Sequence, residues 1–198
     1  MGIGGNRAND FIEQYLYANE ENVGKKPCVF LSHRSIDKPK AKAIAAYIAK
    51  AGIDYYLDEE DEDLQQADEE GNDINTVSCI QRGIECSSHI LCILSETTVN
   101  SWWVPYEVGY GESKGRNIAS IKTKMLPQSL IPAYLRIRNC MMGLTQFNEY
   151  LRKVSATYWG LFPSDTRVTT EMASYCSADQ AVLSTYNSTH PLFEIVEK

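Results

Sequence analysis

Residues 27–33 read PCVFLSH and begin the stretch of the chain that decides its fold. The apolar run predicts a buried strand that ends in a polar loop. Apolar side chains at helical spacing over residues 44–51 then predict a helix, which Gly52 closes as a C-cap, and residues 53–57 predict a second strand. A strand, a helix and a second strand joined by short connections form a βαβ unit, which implies a parallel sheet.

The same alternation continues beyond this unit. Residues 77–84 predict a helix, residues 90–94 a third strand, residues 117–121 a fourth strand and residues 136–141 a short fifth strand. Apolar residues repeat at helical spacing from 144 to 158 and predict a closing amphipathic helix. The chain is therefore predicted to be of the α/β class.

Three parts are expected along the chain. Residues 1–26 predict an N-terminal extension with a short helix over residues 8–18, and the glycines within residues 2–5 are expected to form a disordered tip. Residues 27–158 form the main domain. Residues 159–198 are weakly periodic and are expected to pack on or beside that domain. Within them, residues 168–198 are expected to form either a specificity lid or an assembly contact.

Residues 58–73 are dense in aspartate and glutamate. Such a run is typical of a solvated, mobile loop. A calcium-binding loop is the alternative, but neither the spacing of its ligands nor the position of its glycine fits one.

The composition restricts the function. A formal net charge of −7 argues against a general nucleic-acid or anionic-membrane surface, and no apolar stretch approaches the length of a membrane span. The six cysteines include no C-x-x-C pair, and no histidine stands at metal-ligand spacing. We therefore expect a cytoplasmic protein with reduced cysteines and no metal site.

Residues 101–111, SWWVPYEVGYG, follow the third strand and predict a helix capped by Asn100 or Ser101. Trp103 and Glu107 are four residues apart and share one face of that helix. Ligands of parallel sheets bind beyond the carboxyl ends of the strands, so a carboxylate beside a large aromatic ring there is a candidate reaction centre. The alternative is that Trp103 belongs to the core and Glu107 is a solvated acid.

Four motifs in order resemble Toll/interleukin-1 receptor (TIR) domains. Residues 30–34, FLSHR, are similar to the first-strand motif of that family, and residues 55–58, YYLD, are similar to its second strand and following aspartate. Residues 80–87, IQRGIECS, resemble the helix before its third strand. Residues 93–95, ILS, followed by residues 101–107, SWWVPYE, resemble that strand and the next helix.

The resemblance extends over residues 27–158 and implies a flavodoxin-like fold, a central five-stranded parallel sheet with helices on both faces. Many bacterial and plant members cleave NAD+ at the nicotinamide–ribose bond, with a key glutamate four residues after the helix tryptophan. Glu107 holds that position here. The chemistry agrees, because breaking an N-glycosidic bond builds positive charge on the ribose, which a carboxylate stabilises. Nicotinamide leaves as a neutral molecule from a cationic ring, so no general acid is needed.

The same resemblance implies the remaining site residues. Ser32, His33 and Arg34 would line the pocket beyond the first strand, with Arg34 at the pyrophosphate, and Trp103 would pack against the nicotinamide or ribose. Asp58 would order the acidic loop or contact ribose hydroxyls. For Ser32, His33 and Asp58 a purely structural role is an equal alternative. Position 35 holds a serine where some NAD-cleaving members carry a second arginine.

Three functions follow as alternatives. The first is an NAD+-consuming hydrolase or cyclase that resembles the TIR subunit of Thoeris-type antiphage defence systems. Such subunits make a cyclic or conjugated ADP-ribose messenger for a separate effector protein. The resemblance implies NAD+ as substrate, no other cofactor, and TIR–TIR self-association. The second is a non-catalytic TIR adaptor that acts through self-association, and the third is a nucleoside deoxyribosyltransferase with a nucleophilic glutamate.

Overall fold

The computed structural model describes residues 4–8, 26–159, 190 and 192–196. Nearly all of the helix predicted over residues 8–18 and much of the C-terminal extension lie outside the described residues.

A single parallel sheet of five strands forms the centre of the described part of the chain. Its strands are β1 (Cys28–Ser32), β2 (Asp54–Tyr56), β3 (His89–Leu94), β4 (Asn117–Lys122) and β5 (Asn139–Met141), in the order β2-β1-β3-β4-β5. All five residues of β1 are buried, as expected of a strand covered on both faces. The predicted α/β, flavodoxin-like architecture is confirmed.

Helices cover both faces of the sheet. They are α1 (Lys38–Lys50), α2 (Glu62–Glu69), α3 (Asp73–Glu85), α4 (Trp103–Ser113), the single-turn α5 (Ala133–Arg136) and α6 (Leu144–Trp159). Because strand side chains alternate, Val29 and Leu31 of β1 pack with α1 and α6, whereas Cys28 and Phe30 pack with the helices on the other face. The fold thus has two apolar layers that share one sheet.

The strand order sets the place where a ligand can bind. From β1 the chain crosses to β2 on one side, and β3 then returns to the other side of β1. Connections therefore diverge at the carboxyl ends of β1 and β3, which opens a crevice at this switch point. Ser32 ends β1 there, paired with Cys92 of β3.

The prediction of a structureless acidic loop over residues 58–73 was wrong. The segment contains α2, whose N-terminus is capped by Asp61, since its carboxylate accepts a hydrogen bond from the backbone N–H of Leu64 at 3.1 Å. Leu64 and Ala67 are the buried residues of this helix. Two apolar positions in eight residues give a weak periodic signal, which the abundance of acids conceals.

The predicted disordered glycine tip was also wrong for Gly4 and Gly5. The backbone N–H of Gly4 donates to the carbonyl of Ala49 at 2.8 Å, and the carbonyl of Gly5 accepts from Tyr55 N–H at 3.0 Å. Next to them, the buried guanidinium of Arg7 donates through Nε and Nη2 to Asp54 at 2.9 and 2.8 Å. A long-range ion pair, invisible in a local pattern, therefore fastens this segment beside β2.

Residues 192–196 contact the same domain from the C-terminal side. Leu192 and Val196 are buried in the layer that contains α1 and α6. Val196 forms an antiparallel bridge with Thr123, and the carbonyl of Ile195 accepts from Lys124 N–H at 3.0 Å. Among the described helices, none combines the length and apolar composition that crossing a membrane requires.

Gly83 of α3 is required by close packing. A Cβ there would lie 2.5 Å from Cε1 and Cζ of Tyr56, whose ring stacks on Phe30 and whose hydroxyl donates to Asp61. Because that ring is held on two sides, we expect Gly83→Ala to lower the free energy of unfolding by about 1–3 kcal/mol.

Gly109 of α4 provides the matched control, since a Cβ there meets no atom within 4 Å. Gly109→Ala should stabilise the protein by about 0.5–1 kcal/mol through helix propensity alone. Urea unfolding of both variants measures the difference, and effects of the same sign would contradict the packing described for Tyr56.

Candidate active site

A cleft of about 330 Å³ opens at the predicted crevice. Its described walls come from the β1–α1 connection and the start of α1, from the β2–α2 connection, from α2 and α3, and from the first turns of α4. The residues that line it are His33, Arg34, Ser35, Lys38, Asp58, Leu64, Gln65, Asp68, Thr76, Ile80, Ser101, Trp103 and Glu107.

Glu107 occupies an unusual position for a carboxylate. It is only 4% exposed and belongs to the buried stripe of α4 together with Val104, Val108 and Gly111. This spacing is that of a helix face packed on a sheet, where apolar residues are the rule. The hydroxyl of Ser32, at the end of β1, donates a hydrogen bond to Glu107 Oε2 at 2.5 Å.

Burial determines the protonation of this group. Loss of solvent raises the pKa of Glu107 to about 8, the hydrogen bond from Ser32 opposes that rise, and the nearby charge of Asp58 adds to it. At neutral pH, Glu107 is therefore mainly protonated. A buried carboxyl with a raised pKa in a cleft is characteristic of functional sites.

His33 and Asp58 lie side by side at the edge of the cleft. The Nδ1–H of His33 donates to the backbone carbonyl of Leu31 at 3.0 Å, which directs Nε2 toward Asp58, 3.7 Å from its Oδ1. The ring of His33 is buried, whereas the Asp58 side chain is about one-third exposed. Both residues thus present polar atoms to the cleft.

The environments of Trp103 and Glu107 are the reverse of a core tryptophan and a solvated acid. Trp103 is 44% exposed and meets Tyr106 edge to face with ring centroids 6.0 Å apart, whereas Glu107 is buried. The helix α4 begins one residue later than predicted, with Trp102 and not Asn100 or Ser101 at the N-cap position. The Ser101 hydroxyl still accepts from the backbone N–H of Trp103 at 3.2 Å. A solvated glutamate and a core tryptophan are therefore both excluded.

Arg34 is exposed at the rim, where its Nη1 donates to the carbonyl of Thr97 at 3.4 Å. The structure thus brings five of the six predicted residues to the cleft wall, and the sixth, Ser32, contacts Glu107 directly. Lys38, the first residue of α1, lines the same cleft as Arg34. A second cation is therefore present three residues after the serine at position 35.

Sequence reasoning missed Lys38 and the wall formed by α2 and α3. Gln65, Asp68 and Thr76 come from the segment that was interpreted as a loop or from the helix that follows it. The available signal was an N-cap aspartate, Asp61, followed by apolar residues three and six positions later.

Asp37 joins the two connections that frame the cleft. Its buried carboxylate accepts hydrogen bonds from the hydroxyls of Ser95 and Thr97 and from Lys40 Nζ, the last at 2.6 Å. Burial by itself raises the pKa of Asp37, but these hydrogen bonds outweigh it and hold the pKa below the usual value. The β1–α1 and β3–α4 connections are thereby fixed to each other.

The comparisons with known proteins agree with this geometry. A family model described as "TIR domain" matches residues 29–152. The chain belongs to the TIR family. Neither the curated proteins nor the solved structures gave a match. The matched part of the TIR domain begins in β1 and ends in α6, so it includes the whole described wall of the cleft.

The buried carboxyl group of Glu107 lowers the free energy of unfolding of this TIR domain when it ionises. Because its folded pKa of about 8 exceeds the ordinary value of 4.5, the folded state holds the proton more tightly than the unfolded state. The free energy of unfolding therefore falls as pH rises between these two values, by up to about 1.4 kcal/mol per pH unit.

Glu107→Gln removes the ionisable group, so we expect it to abolish this pH-dependent fall in the free energy of unfolding. The Tm of the variant relative to that of the wild type should therefore increase as pH rises from 5 to 8. Glu112→Gln, at an exposed acid of the same helix, is the control and should follow the wild type. A Glu107→Gln difference that does not change with pH would contradict the raised pKa.

Proposed function

We propose that this TIR domain cleaves the nicotinamide–ribose bond of NAD+, with Glu107 as the catalytic residue. The observation that carries the proposal is a buried carboxyl group at an open cleft, hydrogen-bonded to Ser32 and adjacent to the half-exposed Trp103. The activity would be that of an NAD+ nucleosidase or ADP-ribosyl cyclase.

The reaction breaks the bond between ribose C1′ and the nicotinamide nitrogen. The electron pair of that bond passes to the nitrogen, which neutralises the ring, and positive charge develops on C1′ and the ribose ring oxygen. An ionised Glu107 beside this centre stabilises the developing charge, the more so because water is excluded around it. In hydrolysis, water then attacks C1′ and releases one proton to solvent. In cyclisation or conjugation, another nucleophile attacks C1′ instead.

The substrate itself supplies the means to ionise Glu107. Its pyridinium ring brings a positive charge into the cleft, and an opposite charge nearby lowers the pKa of a carboxyl group. Trp103 offers an aromatic face to that ring, which favours a cation. Glu107 is therefore protonated when the cleft is empty and becomes the carboxylate when NAD+ binds.

The remaining cleft residues would hold the rest of the dinucleotide. Arg34 and Lys38 supply positive charge for the two phosphates, which supports the role proposed for Arg34. Asp58 accepts hydrogen bonds from ribose hydroxyls, and its contact with His33 fixes its position. Lys38 would thus replace the arginine that is absent at position 35.

The product and its use rest on the resemblance to Thoeris-type TIR subunits. We infer a cyclic or conjugated ADP-ribose signal, made in the cytoplasm during antiphage defence and detected by a separate effector protein. Reduced cysteines agree with that compartment, since the five described ones, Cys28, Cys79, Cys86, Cys92 and Cys140, are all free thiols.

A self-associating TIR adaptor is the second candidate. Trp102 is 93% exposed and Ile36 is 72% exposed, in the two connections that frame the cleft. An exposed tryptophan is among the residue types that most often anchor protein contacts. In an adaptor, however, the buried Glu107 would have no chemical use.

The proposal is tested with purified protein and NAD+, by chromatography and mass spectrometry of the products. The wild type should release nicotinamide, and Glu107→Gln should lower the rate by at least about 10²-fold because it removes the charge that stabilises the transition state. Glu112→Gln should retain the wild-type rate. No release by the wild type, even at high protein concentration, would favour the adaptor.

The pH dependence gives a second test. Because kcat/KM reports the free enzyme, it should rise with pH and level off above about 8, where Glu107 is ionised in the empty cleft. The midpoint for kcat should lie lower, since the pyridinium has lowered the pKa in the complex. Asp58→Asn should shift the kcat/KM midpoint downward, and identical midpoints for both parameters would contradict the proposed ionisation.

A further inference from the structure

The charges along the cleft bear on whether the dinucleotide carries a 2′-phosphate. Its described walls carry two permanent positive charges, on Arg34 and Lys38, and two acidic side chains other than Glu107, on Asp58 and Asp68. The two cations balance the two negative charges of a pyrophosphate. A third phosphate group would be left with the two carboxylates, which repel it.

Asp68 belongs to a wall that is fixed in place. Leu64, Gln65 and Asp68 lie on one face of α2 and all line the cleft. The side chain of Leu64 is buried, and the cap Asp61 also accepts hydrogen bonds from Tyr56 and Arg82. Asp68 is exposed, so its carboxylate stands at the solvent-facing side of the cleft, on a helix whose position these contacts fix.

A carboxylate at such a place distinguishes a ribose hydroxyl from a ribose phosphate. The hydroxyl donates a hydrogen bond to it, as at the ribose of NAD-binding sites in general. A 2′-phosphate has no such donor at neutral pH and brings almost two negative charges. Two like charges within about 4 Å near a protein surface repel strongly enough to change affinity by about tenfold or more.

We propose that the cleft selects NAD+ over NADP+, and that Asp68 of α2 is a specificity-determining residue. This inference rests on the proposed function, because it concerns the same cleft and the same substrate class. It adds a role for the wall made by α2.

The test compares kcat/KM for NAD+ and NADP+ in the wild type and in two variants of α2. The wild type should prefer NAD+ by at least about tenfold. Asp68→Lys should shift the ratio toward NADP+ by at least about tenfold, since it replaces a repelling charge with an attracting one.

Glu69→Lys is the matched control. Glu69 is the next residue of the same helix and is exposed like Asp68, but it lies outside the described cleft wall. Its variant has the same change in net charge. Both lysines would stand in the last turn of α2, where a cation is favourable, so neither variant should unfold. The control should keep the wild-type ratio. Equal use of both nucleotides by the wild type, or equal shifts in both variants, would overturn the inference.

Binding separates this inference from the catalytic proposal. The affinities of Glu107→Gln for NAD+ and NADP+, measured by calorimetry, should differ by at least about tenfold in favour of NAD+. If the wild type cleaves neither nucleotide but the variant binds NAD+ selectively, cleavage is wrong and the selectivity stands. If neither nucleotide binds, both are wrong.

Discussion

The hydrogen bond from Ser32 to Glu107 is the contact on which the site depends. It joins the carboxyl end of β1 to the buried face of α4 and compensates part of the loss of solvent around the carboxyl group. Because α4 packs on the sheet through that same face, Glu107 cannot turn into solvent without disrupting the helix contact. Packing of α4 on the parallel sheet thus raises the pKa of Glu107 and keeps it mainly protonated at a pH where an exposed glutamate is ionised.

The rest of the cleft maintains this arrangement. Asp37 fixes the β1–α1 connection to the β3–α4 connection through Ser95 and Thr97. These two connections adjoin β1 and α4, the elements that carry Ser32 and Glu107. The acidic helix α2 closes the opposite side. The burial of Glu107 lowers the free energy of unfolding at neutral pH, whereas the hydrogen bonds of Asp37 hold the surrounding connections in place.

The sequence predicted what depends on local periodicity and failed where distant residues decide. The strands, the helix that starts at Trp103 and the residues at the ends of the strands follow from apolar runs and from the geometry of parallel sheets. The helix α2 was missed because its docking depends on Tyr56 and Arg82, which contact Asp61 from other elements. The burial of Glu107 was also hidden, since one acid among apolar residues on a helix face has the same spacing whether it is exposed or enclosed.

The most direct measurement is the titration of Glu107 itself, by carbon NMR of protein labelled at the glutamate carboxyl, with Glu107→Gln to assign the signal. The account predicts a midpoint near pH 8 in the empty protein. It predicts a clear fall of that midpoint when a non-cleavable dinucleotide with an intact pyridinium ring is bound. A midpoint near the ordinary 4.5 in the empty protein, or no change on binding, would contradict it.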